Sequence, residues 1–121
     1  MDNGILVRSL PEGEDFSDPE ALVGGANSPY SDSHPAIAPD ERFIIFDSTR
    51  PDGLGWADFY ISFRNPDRTW SNAIHMGNIL NNETNNICAS LSLDGKYIFS
   101  TSNNDIYWVS TAVIEKLKPV R

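Results

Sequence analysis

The sequence predicts an all-β chain built from repeated antiparallel units, and three observations carry that reading. Turn residues punctuate the chain every several positions, leaving short segments rich in Ile, Val, Phe, Tyr and Trp. A shift of 54 residues, which carries Asp40 onto Asp94, lays the chain on itself without a gap from Ile5 on Phe59 to Ser48 on Ser102. A single short stretch, Ala112 to Leu117, reads as helix, and Pro119 ends it.

In chain order the predicted strands are Ile5 to Leu10, Phe16 to Val23, Ala36 to Ala38, Phe43 to Ser48, Phe59 to Arg64, Trp70 to Met76, Ile87 to Leu91, Tyr97 to Ser102 and Ile106 to Thr111. The shift sets Phe16 on Trp70, Leu22 on Met76, Asn27 on Asn81, Ile37 on Leu91, Arg42 on Lys96 and Phe43 on Tyr97. Few pairs are identical, so the weight rests on the ungapped order of turn, aromatic and apolar positions. A third copy opens at Asp105-Ile106-Tyr107, matching Asp58-Phe59-Tyr60, where the loop Thr49 to Ala57 has shrunk to Asn103-Asn104.

Four short antiparallel strands in a period of roughly 40 to 50 residues is the pattern of a β-propeller blade. The residues His34-Pro35-Ala36-Ile37-Ala38-Pro39-Asp40, Phe43-Ile44-Ile45-Phe46, Ser48-Thr49-Arg50 and Asp58-Phe59-Tyr60, with their second copies Ser90 to Phe99 and Asp105 to Trp108, resemble the WD40-like (PD40) β-propeller repeats found in TolB-like proteins. Two positions depart from that pattern, Glu41 where the resemblance leads one to expect glycine and Leu93 where it leads one to expect proline.

Lettering the strands of a blade A to D from the axis outward, residues 34–76 read as a complete blade, 5–23 as the outer pair of an incomplete one, 87–111 as inner strands of a further one, and 112–121 as a tail. That makes about two blades per chain, too few to close a ring. Completion is expected from missing sequence or from head-to-tail self-association, three chains then giving six blades and four giving eight.

The net charge of -8 argues against a nucleic-acid or anionic-membrane partner, because either demands a basic face. No apolar run approaches a membrane span and no export signal is visible, so the chain reads as soluble; the resemblance is compatible with a periplasmic or a cytoplasmic protein. Cys88 stands alone in an apolar run and is expected to be a small buried residue. A nucleophilic role would need a nearby histidine, and none is evident.

Strand alternation puts the D-to-A and B-to-C connections at one end, and these are the longest loops. Loops held by a rigid scaffold carry function, so this end is the candidate binding surface, with Tyr30, Asp32, His34, Arg50, Asp52, Trp56, Asn81, Asn82, Glu83 and Asn85 as its exposed candidates. Asp40 and Asp94 read as turn caps, and Asp58 and Asp105, recurring at one strand start, as hydrogen-bond anchors between blades or to backbone. Trp56 stands out, since a tryptophan at a loop tip is costly unless it meets a partner or folds back. His34 and His75 fall toward opposite ends of their strands, and no loop has the acidic spacing of a calcium site, so no metal or other cofactor is predicted. The expected function is a non-catalytic propeller module that binds a protein, peptide or glycan. The alternatives are a hydrolase or lyase acting on saccharide or peptide at a ring centre, and a piece of a longer TolB-like protein without activity of its own.

Overall fold

A computed structural model of the chain describes residues 4–51, 53–78, 80–83, 85–102 and 105–117. The loop Asn103-Asn104 and the tail beyond Leu117 lie outside them. The described residues form antiparallel sheets and one short 3-10 helix, so the chain is all-β.

The first unit is a hairpin. Strands β1 (Val7–Arg8) and β4 (Glu20–Ala21) pair, and β2 (Pro11–Glu12) pairs with β3 (Asp15–Phe16) across a turn holding Gly13 at φ 63. The second strand is broken between β3 and β4 at Pro19, which has no N–H to donate to a ladder.

The second unit is a four-stranded sheet in chain order: β5 (Asp32–Ile37), β6 (Phe43–Ser48), β7 (Asp58–Phe63) and β8 (Ile74–His75). The third has the order β11-β10-β9, from β9 (Asn86–Leu91), β10 (Tyr97–Ser102) and β11 (Asp105–Ser110). The predicted outer strand from Trp70 shortens to β8 because Trp70 instead bridges Arg64 on one side and Gly24 on the other. There the backbones touch: a Cβ on Gly24, at φ 120, would lie 2.2 Å from the Trp70 carbonyl oxygen, so only glycine fits.

These three units stack as layers. Leu6 and Leu22 of the hairpin pack on Ile44, Phe46, Tyr60 and Trp70, one face of the middle sheet. Its other face, Phe43, Ile45, Phe59 and Ile61, packs against Ala89, Ile98 and Val109 of the third sheet. Every residue of β6 and β7 is therefore buried, alternate side chains serving the two interfaces. Ile45, Phe59 and Ile61 are fully enclosed, each contributing roughly 1.5–3 kcal/mol. The 3-10 helix Thr111–Lys116 lies across the end of the second interface and inserts Ile114 into it. No helix among the described residues is long and apolar enough to cross a membrane.

The 54-residue relation extends to hydrogen bonds. Asp40 caps the N–H of Arg42 and Asp94 that of Lys96, at 3.2 and 3.0 Å. Glu41 N–H donates to Ala38 and Gly95 N–H to Ser92. The first strand departs from the 54-residue shift by one residue. Leu22 donates to Leu6 as Met76 does to Phe59, and Asp32 donates to Gly4 as Asn86 does to Ala57. Leu6, not Ile5, is thus the counterpart of Phe59, and the shift there is 53. Adjacent apolar residues Ile5-Leu6-Val7 leave the match ambiguous in sequence, whereas a one-residue slip exchanges the two faces of the strand.

Glu41 and Gly95 occupy the same turn position at φ 61 and 73, where a side chain costs about 1–2 kcal/mol. Glu41→Gly is expected to raise stability by about 0.5–1 kcal/mol after the extra freedom of glycine in the unfolded chain is offset. The lost Arg64–Glu41 contact, 3.5 Å and exposed on the glutamate side, subtracts little. Gly95→Glu should destabilise by about 1 kcal/mol. Thermal unfolding of the two variants checks both signs.

Candidate functional site

The connections β4–β5, β6–β7 and β8–β9 converge at one end of the stack. Thr49 N–H donates to Ser31 O, Arg50 reaches Ala26 O, and the Asn86 side chain donates to Ala57 O and Asn82 O. The sequence candidates at this end divide into buried clamps and exposed side chains.

Asp58 begins β7 with no accessible surface. It accepts from the backbone N–H groups of Leu54 and Gly55, from His75 Nε2 at 2.7 Å and from Asn86 Nδ2 at 3.2 Å. Gly77 N–H donates to Nδ1 of His75, which leaves the ring proton on Nε2, facing Asp58. Burial pushes the Asp58 carboxyl up, but the bonds from His75, Leu54, Gly55 and Asn86 together outweigh it and hold the group below the ordinary carboxylate value. Asp105, placed at the same strand start, is exposed, and among the described residues β11 is followed by the 3-10 helix, with no counterpart of Asn86.

Asp32 and Asn81, expected on the exposed surface, are buried. Asp32 accepts from Ser28 N–H and Oγ and, at 2.9 Å, from Arg50, whose guanidinium lies 4.6 Å from the Tyr60 ring centroid. Asn81 accepts from Phe59 N–H at 2.6 Å and donates back to Phe59 O, as Asn27 does with Leu6. The Phe59 and Leu6 carbonyls already accept from Met76 and Leu22, and the asparagine oxygens supply an acceptor for the N–H groups of the same two residues. Asn82 is exposed and donates to Ser102 Oγ. Tyr30, Glu83 and Asn85 are exposed, as is Trp56, with 74% of its surface accessible beside exposed Leu54. Asp52 lies outside the described residues.

A third cluster, not foreseen in the sequence, centres on buried Asp47. His34 Nδ1 lies 2.9 Å from its Oδ2, Ser33 Oγ donates to Oδ1, and Cys88 N–H donates to Oδ2 at 3.1 Å. Cys88 is exposed, contrary to its expected burial, and its backbone N–H shares the Asp47 carboxylate with the His34 ring. The cause is a β-bulge: residues 34 and 35 face Phe46 alone, and residues 88 and 89 face Ser100 alone. His34 and Cys88 are repeat counterparts, at φ 51 and 61, turned out of the strand pattern.

The chemistry open to these clusters is limited. Asp32 and Asp58 have almost no surface to offer a substrate. Ser33 Oγ lies 3.3 Å from Nδ1 of His34, the nitrogen Asp47 already holds, whereas a nucleophile needs the opposite nitrogen. Partial burial and the Asp47 carboxylate push the Cys88 thiol up, away from a reactive thiolate. Among the described residues no three His, Cys, Asp or Glu side chains gather as a metal site. No family model, curated protein or solved structure matches the chain.

The clamps give two expectations. Removing Arg50 leaves the Asp32 charge enclosed, so Arg50→Met should cost about 3–5 kcal/mol in denaturant unfolding, and Arg50→Lys should recover only part of it. The folded-state pKa of Asp58 lies below its unfolded value. Its contribution is therefore full above the unfolded pKa and is lost as pH falls below about 4 through the folded one. Asp58→Asn should unfold more readily at neutral pH yet show a flatter loss of stability on acidification, measured by melting temperature against pH.

Proposed function

We propose that the stacked antiparallel sheets are blades of a β-propeller and that the chain is a non-catalytic binding module acting through its loop end. The observation that carries this reading is a division of labour at that end. The ionisable and amide groups Asp32, Arg50, Asp58, His75 and Asn81 are engaged in hydrogen bonds within the protein, while the large side chains of Trp56, Leu54 and Tyr30 face solvent. Catalysis needs polar groups within reach of a substrate, whereas recognition favours a rigid aromatic anchor on a scaffold that holds it still. Support for the blade reading comes from the chain-order meander of β5 to β8, the face-to-face stacking and the repeat relation.

The bound species is a neutral or weakly polar surface of a protein, peptide or glycan, since the acidic chain disfavours polyanions. Peptide and glycan arrays probed with the labelled chain are expected to yield a ligand set that Trp56→Ala loses by tenfold or more in affinity, roughly what truncation of an interface tryptophan costs. A substitution at the opposite end, Asp94→Ala, should leave that set unchanged. Binding that survives Trp56→Ala with full affinity would remove this end from consideration.

A further inference from the structure

The third sheet ends the stack with an apolar face toward solvent. Tyr97 and Phe99 on β10 and Ile106 and Trp108 on β11 point away from the middle sheet, with Ile106 78% and Trp108 66% accessible. They lie on one face because Phe99 pairs with Trp108 and Thr101 with Ile106, and the rings of Tyr97 and Trp108 meet edge-on at 5.4 Å.

The repeat relation identifies this face. Tyr97 and Phe99 are the counterparts of Phe43 and Ile45, and Ile106 and Trp108 those of Phe59 and Ile61. In the middle sheet those four residues are buried against the third sheet. The hairpin does the same with Leu6, the counterpart of Phe59, which is buried against Ile44, Phe46 and Tyr60. One rule thus holds at both interfaces inside the chain: the Phe59-type face of each layer covers the Tyr60-type face of the next.

Two halves of that interface are left over, one at each end. The third sheet presents a Phe59-type face. The hairpin presents the other kind, since Val7 is the counterpart of Tyr60, stands 47% accessible, and has Ile5 and Val23 exposed near it. We infer that a second copy of the chain docks its N-terminal hairpin on the Tyr97–Phe99–Trp108 face, a head-to-tail contact that repeats between molecules the interface already formed twice within one. The contact is heterologous, so each chain carries one donor and one acceptor face. It is apolar, and the charge of -8 on each chain opposes it, so salt strengthens it by screening.

Trp108→Glu and Val7→Glu each destroy one face and spare the other; both positions are exposed, and unchanged circular dichroism and melting temperature verify the fold. The full chain is expected to sediment as more than one copy at micromolar concentration, with association tighter at higher salt. Each variant alone should associate at least about tenfold more weakly. Mixed in equal amounts, the variants should form a heterodimer, because the intact hairpin of Trp108→Glu meets the intact end sheet of Val7→Glu. A wild-type chain that stays monomeric, self-association that both substitutions leave untouched, association weakened by salt, or no heterodimer on mixing each overturns the inference. The array measurement with Trp56→Ala reads a different surface, so either result can fail without the other.

Discussion

Burial of β6 and β7 on both faces is the constraint from which the other features of the molecule arise. An antiparallel sheet with one wet face alternates apolar and polar residues, but Phe43-Ile44-Ile45-Phe46 and Phe59-Tyr60-Ile61 do not. Such strands are stable only between two other layers, which the hairpin and the third sheet supply. The same need reappears at each end of the stack, where half-covered sheets carry exposed Phe16 and Val23 at one side and Phe99 and Trp108 at the other.

Layering also explains the polar clusters. Chain crossing from one sheet to the next must leave a ladder, and each crossing strands backbone donors and acceptors in a dry seam. Asn27 and Asn81 close those gaps with paired amide bonds, Asp58 and Asn86 tie the β6–β7 loop to the third sheet, and Arg50 ties it to β5 through Asp32 and to the β4–β5 connection through Ala26 O. Among the described residues no buried side-chain polar atom lacks a partner. The same clamps fix the backbone of the β6–β7 loop, where Asp58 holds the N–H groups of Leu54 and Gly55, and leave the Trp56 side chain exposed.

The bulges at His34 and Cys88 add a second consequence of the repeat. Both lie where two residues oppose one, both take a left-handed conformation, and both meet Asp47. The cluster joins β5, β6 and β9 through one carboxylate. Its geometry fastens the edge strands β5 and β9 of two sheets to each other through β6, with Asp47 on Nδ1 of the histidine and the thiol pKa pushed up.

Features that depend on neighbours along the chain are legible in the residues alone. Strands Phe43–Ser48 and Tyr97–Ser102 fall at their predicted bounds, and the turns at Asp40 and Asp94 have their capping bonds, because alternation and turn chemistry act within a few residues. The all-β class rests on the same local signals. The fate of the polar residues, by contrast, was settled by packing: Asp32 and Asn81 look like surface loop residues until the backbone they serve is in place. Sequence shows no trace of contacts such as His75 to Asp58, 17 residues apart, or Cys88 to Asp47, 41 apart. It likewise left the register of Ile5-Leu6-Val7 open by one residue, since hydrophobicity names a strand and only packing against another layer chooses which of its faces is inside.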